Sequence, residues 1–153
     1  MIIRACCKED IKGIGTCHYH CWQETYRGLI RDAILDGMSE EKNILKKEKQ
    51  FSMYGKYWHV VEENGEIIGF ISLIPDDVYA KHEVQALYLR KSYQKKGYGK
   101  KMMEYIKELF HHESFYLWCL KNNPTLSFYE HMGGVIIAQR KDEVGEEVCF
   151  LFK

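Results

Sequence analysis

Residues 94–100 read Gln94-Lys95-Lys96-Gly97-Tyr98-Gly99-Lys100, and the chemistry they suit is anion binding. Glycine lets a backbone approach a ligand closely and adopt positive φ. A helix opening here presents N–H groups that have no intrahelical acceptor, and its dipole places positive partial charge at the same end. Lysines are electrostatically unfavourable at such an end unless an anion is bound. A polyanion, most naturally a phosphate compound, reverses the sign of that effect. Arg90, Lys91, Lys95, Lys96, Lys100 and Lys101 surround the turn, enough for more than one phosphate. The plain alternative is a solvated lysine face beside turn glycines. The setting, a strand running through a Gly turn into a helix, favours phosphate.

Two common phosphate signatures are missing. A Walker loop needs G-x-x-x-x-G-K-[ST], which does not occur. The dinucleotide fingerprint G-x-G-x-x-G stops after Gly97 and Gly99, with Met at 102. The segment Cys17-His18-Tyr19-His20-Cys21 looks like a metal-ligand set. On a helix, however, Cys17 and Cys21 share a face while His18 and His20 point elsewhere. A structural zinc needs four convergent ligands, so no metal is expected.

Periodicity gives the strands and helices that hold this turn in place. IIRA (2–5) reads as an opening strand. Ile11, Ile14, His18, Cys21 and Trp22 recur at helical spacing, giving a helix over about 8–26 that Gly13 and Gly15 weaken. A more polar helix spans Ser39 to about Gln50, capped by Ser39, with Lys42 to Lys49 on its exposed face. Residues 57–74 form a hairpin around Asn64-Gly65. Residues 82–90 are a third strand, followed by a helix over 97–111 with Tyr98, Met102, Ile106 and Leu109 as its apolar stripe. A buried strand covers 115–120. A helix over 122–134 is capped by Asn123, and VIIAQR with EVCFLF closes the chain as a second hairpin.

Strand 82–90, its helix and strand 115–120 make a βαβ crossover, so those two strands are expected to be parallel. The fold expected is α+β in three layers: a mixed, mostly antiparallel sheet with one parallel pair and helices on both faces. Residues 1–153 are expected to form a single domain.

The turn and the segments on either side of it resemble the GNAT superfamily of N-acetyltransferases. The family's acetyl-CoA signature is Q/R-x-x-G-x-G/A, matched by Gln94-Lys95-Lys96-Gly97-Tyr98-Gly99. LYLRKSYQ before it is similar to the family's pyrophosphate-strand entry. NNPTLSFYEHMGG is similar to its N…FY…GF segment, with Gly134 where Phe is usual. These motifs span 83–134, about a third of the chain, and the order of elements matches as well.

The resemblance implies roles. Acetyl-CoA would wedge between strands 82–90 and 115–120, its pantetheine arm pairing with the backbone of Leu87, Tyr88 and Leu89. A backbone N–H near Leu87–Tyr88 would polarise the thioester carbonyl. The pyrophosphate would sit on the amides of Gln94, Lys95, Lys96, Gly97, Tyr98, Gly99 and Lys100, with Lys91, Lys95 or Lys96 reaching the 3′-phosphate. Tyr129 matches the tyrosine that protonates the CoA thiolate. A phenol suits a thiol leaving group of similar basicity, although Leu126 and Tyr129 could equally be a buried packing pair. Asn122 matches a CoA-contacting asparagine, with Asn123 as the alternative. Glu83 stands where many members place a glutamate that drains the amine's proton, and His82 and His20 compete for that role. CWQETYRGLI is similar to a Trp…Tyr segment of some members, so Trp22 and Tyr26 would line the amine pocket or else belong to the core.

Composition narrows the classes further. Lys plus Arg is 22 and Asp plus Glu is 22, so no global basic field exists to hold nucleic acid or an anionic membrane. No apolar run approaches the ~20 residues a membrane span needs. Six cysteines without a disulfide spacing suit reduced thiols and a cytoplasmic setting. The expected activity is acetyl transfer from acetyl-CoA to an amine. A non-catalytic CoA-binding sensor on the same fold is the alternative. RNA binding by the Tyr-containing basic loop is disfavoured by zero net charge. Asp76, Asp77 and Glu83 could hold a cationic amine such as a polyamine or aminoglycoside, and a protein N-terminus or lysine stays open. A homodimer through the C-terminal strands also stays open.

Overall fold

A computed structural model describes residues 1–75 and 79–153. Among them, seven strands form one sheet in the order β1-β2-β3-β4-β5-β7-β6. The strands are β1 (Ile2–Ala5), β2 (Trp58–Glu63), β3 (Glu66–Pro75), β4 (His82–Leu89), β5 (Phe115–Leu120), β6 (Val135–Lys141) and β7 (Glu146–Phe152). Five α-helices accompany them: α1 (Ile11–Tyr26), α2 (Asp32–Asp36), α3 (Glu40–Tyr54), α4 (Tyr98–Leu109) and α5 (Leu126–His131). β4 and β5 are parallel, paired at His82–Phe115 and Glu83–Tyr116. The pairs β1/β2, β2/β3, β5/β7 and β6/β7 are antiparallel. The mixed sheet with one crossover pair is the architecture that the periodicities imply.

The residues group into two compact units, one of Met1–Ser72 with Ala86–Gly99 and one of Leu73–Gln85 with Lys100–Lys153. In the first, the β2–β3 hairpin turns on Asn64 and Gly65, both at positive φ (51° and 78°), as a two-residue Asn-Gly loop requires. Its core is Ile14, Trp58, Val60 and Phe70, with Tyr88 packed against it. Each such side chain contributes about 1.5–3 kcal/mol on burial. The glycines that weaken α1 as an isolated helix have a packing reason. A Cβ on Gly15 would stand 2.7 Å from the Ile44 backbone, so α1 and α3 meet too closely there for any side chain.

Four local expectations are corrected. α2 gives no sequence signal, because five residues are too few to show a period. Lys47 is not on an exposed face of α3; it is 8% exposed. Ser39 does cap α3, accepting from the Lys42 N–H at 3.1 Å. On α4 the apolar stripe runs through buried Met102, Met103 and Ile106 to Phe110, while Leu109 is 41% exposed. The helix expected over 122–134 is shorter. Asn123 does not cap it directly; its Oδ1 accepts from the Thr125 N–H and hydroxyl (2.9 and 2.8 Å), closing the turn that precedes α5.

In the second unit, Phe115 stacks on Phe152 (4.8 Å between centroids, 9°). Gly134 is explained here. A Cβ would stand 2.8 Å from the Phe152 ring and 2.9 Å from the Tyr129 carbonyl. The phenylalanines of β7 fill the space a Phe at 134 would need.

Candidate active site

β4 ends at Leu89, and the chain then makes a single 3-10 turn over Lys91–Tyr93. It enters α4 through Lys95 (φ 60°) and Gly97 (φ 86°). Two residues at positive φ in three positions turn the backbone sharply before the helix opens. Lys95 takes up this conformation despite its Cβ. Gly97 faces open space: among the described residues, no atom lies within 4 Å of where its Cβ would be. Here glycine is set by conformation, not by packing.

The loop is braced from three sides. The Gln94 backbone N–H donates to the Lys91 carbonyl (3.1 Å) and its side-chain amide donates to the Leu89 carbonyl (2.9 Å). Gln94 therefore holds the turn closed with both its backbone and its side-chain N–H groups. The Tyr98 hydroxyl donates to Glu63 at 2.6 Å, fixing the start of α4 to β2. Beside that carboxylate the phenol is raised above its ordinary range. Lys96 Nζ lies over the Tyr93 ring at 5.9 Å. Lys91, Lys95, Lys96 and Lys100 are all exposed.

Arg90 is not among the loop's free cations. Its guanidinium donates to Glu24 of α1 at 2.7 and 3.0 Å, and the Lys91 N–H donates to the other carboxylate oxygen at 2.9 Å. Burial pushes the Glu24 carboxyl up, but the Arg90 and Lys91 bonds outweigh it and hold it below its usual range. This clamp fixes the strand exit. Sequence spacing gives no signal for it, because the partners are 66 residues apart.

On β4, Gly69 of β3 admits the Tyr88 carbonyl; a Cβ there would stand 2.8 Å from it. The Tyr88 ring stacks on His18 of α1 (5.0 Å, 22°). His18 also meets Trp22 (5.7 Å), which meets Tyr26 edge-on (4.9 Å). The predicted acceptor-side residues Trp22 and Tyr26 thus belong to one aromatic row along α1. His20 is elsewhere, paired with Glu40 at 2.8 Å.

In the second unit, Glu83 accepts from the Tyr116 hydroxyl at 3.3 Å, across the β4/β5 register. His82 stacks on Phe110 (4.0 Å, 4°) and pairs with Glu113 (3.4 Å), so it serves the helix end rather than β4's open length. Tyr129 on α5 is buried against Phe150 (5.6 Å) and Phe152 (6.5 Å). Asn122 is exposed, while Asn123 is buried in the turn. Asp76 and Asp77 lie outside the described residues. Among those described, no group of three or more His, Cys, Asp or Glu could hold a metal. No helix among them is long and apolar enough to cross a membrane.

Comparison with known proteins places these features in a family context. The model of the acetyltransferase (GNAT) family matches residues 17–134. The uncharacterized N-acetyltransferase YuaI of Bacillus subtilis is 28% identical over 142 residues, covering 89% of this chain and 81% of its own. A probable N-acetyltransferase of Mycobacterium tuberculosis is 27% identical over 134 residues, covering 84% and 76%. Among solved structures, an N-acetyltransferase from Staphylococcus aureus is similar with a TM-score of 0.76 at 14% identity, over 99% of this chain and 100% of that one. The PaiA N-acetyltransferase from Thermoplasma acidophilum, in complex with coenzyme A, gives 0.72 at 22% identity, over 99% and 98%. At these identities the structural likeness shows the fold.

Proposed function

The chain belongs to the acetyltransferase (GNAT) family, and on that premise we propose that it transfers an acetyl group from acetyl-CoA to a primary amine. The observation that carries the reading is the loop after β4, with Lys95 and Gly97 at positive φ and exposed lysines around it. In this reading the amides of residues 95–100 bind the pyrophosphate, and Lys91, Lys95 or Lys96 meets the 3′-phosphate. The backbone of Leu87, Tyr88 and Leu89 holds the pantetheine arm, and Asn122 adds a contact. Residues 1–153 act as one catalytic domain.

The amine nitrogen attacks the thioester carbonyl carbon directly. A backbone N–H near Leu87–Tyr88 stabilises the developing oxyanion. The C–S bond breaks as the tetrahedral intermediate collapses. Tyr129 gives its proton to the departing thiolate, and Glu83 takes the proton lost by the amine, directly or through water. Trp22 and Tyr26 line the acceptor side. A homodimer through the C-terminal strands is part of the proposal. In its support, β6 is the last strand of the sheet and exposes Val135, Ile136 and Ile137.

The reading is tested by ligand-induced stabilisation. Acetyl-CoA at 100 times its dissociation constant should stabilise the fold by about 2.7 kcal/mol, because it binds only the native state. Desulfo-CoA should raise Tm comparably, since the phosphates and pantetheine supply most of the contacts. An unchanged Tm with both compounds at saturating concentration counts against the reading.

A further inference from the structure

Three buried nitrogens inside the first unit have no hydrogen-bond partner, and a buried ammonium lies on the same pair of helices. On α1, the buried Nδ1 of His18 and Nε1 of Trp22 are unpaired. On α3, the buried Nδ2 of Asn43 is unpaired. One turn further on, Lys47 is 8% exposed, with its ammonium over the rings of Phe70 (4.9 Å) and Trp58 (5.4 Å). Each pair is spaced i, i+4, so each lies along one face of its helix. The two helices pack together at the Gly15–Ile44 contact.

Contacts connect His18, Trp22 and Lys47, and Asn43 stands one turn before Lys47 on α3. Trp22 meets His18, His18 stacks on Tyr88, and Tyr88 packs on the Trp58–Phe70 cluster that Lys47 covers. Among the described residues no carboxylate pairs with Lys47. Of the carboxylates on the same two helices, Glu24 is engaged by Arg90 and Glu40 by His20. The aromatic faces attract the ammonium but accept none of its three protons in a full hydrogen bond. Buried polar groups are ordinarily satisfied, and a set that is unsatisfied together signals a missing partner. His18 is consistent with this. Burial, then the positive charges of Lys47 and Lys46, hold its imidazole down to about 3, so it faces the lining neutral.

We infer that this lining binds a carboxylate, and that the acetyl acceptor is therefore a small amine bearing a free carboxylate, of the amino-acid class. The indole N–H and the Asn43 amide can only donate from these atoms, and Lys47 adds the charge. A carboxylate supplies the lone pairs that all of them lack. The lining begins at Tyr88, within the stretch of β4 to which the proposed function assigns the pantetheine arm. The separation from amine to carboxylate must then be short. This inference rests on that reading of β4. It differs from a cationic polyamine or aminoglycoside, whose extra ammonium groups would meet Lys47 with like charge.

The test compares α-amino acids with the amines left when each loses its carboxylate. CoA release gives kcat/KM, and calorimetry on the CoA-bound protein gives affinity without turnover. Amino acids should be favoured by about 10²-fold or more over their decarboxylated counterparts. Lys47→Met keeps an apolar stem of similar length, and the ratio should collapse toward one. Trp22→Phe removes the N–H together with the five-membered ring that carries it, and should lower the ratio by about 10-fold. If the wild type neither binds nor acetylates any amino acid better than its counterpart, the inference is overturned, and the donors hold only water. If the ratio survives Lys47→Met in a folded protein, the carboxylate is bound elsewhere and the inference also fails. Failure of acetyl-CoA itself to shift Tm would instead remove the underlying function.

Discussion

Gly97→Asp abolishes coenzyme A binding in a protein that still folds. Both halves of this expectation come from the geometry of the loop. Gly97 sits at φ 86°, and no atom lies within 4 Å of its virtual Cβ among the described residues. Asp is among the residues that tolerate positive φ best, so the native fold should lose little. The new carboxylate, however, stands where the pyrophosphate is proposed to lie. Two unit charges about 4 Å apart near a protein surface repel by roughly 4 kcal/mol, enough to weaken binding by about 10²–10³-fold. Gly97→Asn is the control, with the same φ demand and nearly the same volume but no charge. It should retain far more affinity. Isothermal titration of both variants with CoA, beside circular dichroism melts, separates charge from strain. A folded Gly97→Asp protein with wild-type CoA affinity would remove the cradle.

Tyr129→Phe lowers kcat and kcat/KM together by about 10²-fold or more, with KM for acetyl-CoA nearly constant. The reason is that the hydroxyl is proposed to act only as the C–S bond breaks. Packing predicts a different signature. The ring is buried against Phe150 and Phe152, and phenylalanine keeps those ring contacts. If Tyr129 serves packing alone, stability changes while turnover per folded molecule does not. Steady-state kinetics at the pH optimum, normalised to active-site concentration, distinguishes the two. Wild-type turnover in Tyr129→Phe would mean that water or another group protonates the thiolate.

The framework was legible because its signals are local. Asn64-Gly65 marks a hairpin, and the structure turns there. The run 82–120 reads strand, Gly turn, helix, strand, and β4 and β5 are parallel. The turn into α4 was legible for the same reason: its glycines and lysines lie within seven residues, and the backbone reaches positive φ at Lys95 and Gly97. What escaped is set by partners distant in sequence. Lys47 looks like one more lysine on a polar helix, and only the rings of Trp58 and Phe70 beneath it explain its burial. Arg90 looks like a phosphate ligand until Glu24 is seen to hold it. Gly134 departs from the family's Phe because β7 carries Phe150 and Phe152 into that space. His18 and Trp22 did share a helical period in the sequence. Their unpaired nitrogens emerge only with Asn43 and Lys47 on the helix packed alongside.

Acetyl transfer itself is tested most directly by mass spectrometry of an amine panel incubated with acetyl-CoA and wild-type protein, alongside quantified thiol release. An amine in the panel should gain one acetyl group, with one CoA thiol released per acetylated product and neither formed without protein. Saturable CoA binding with no acetylated amine and no thiol release across the panel would contradict acetyl transfer, and would leave a coenzyme A sensor in its place.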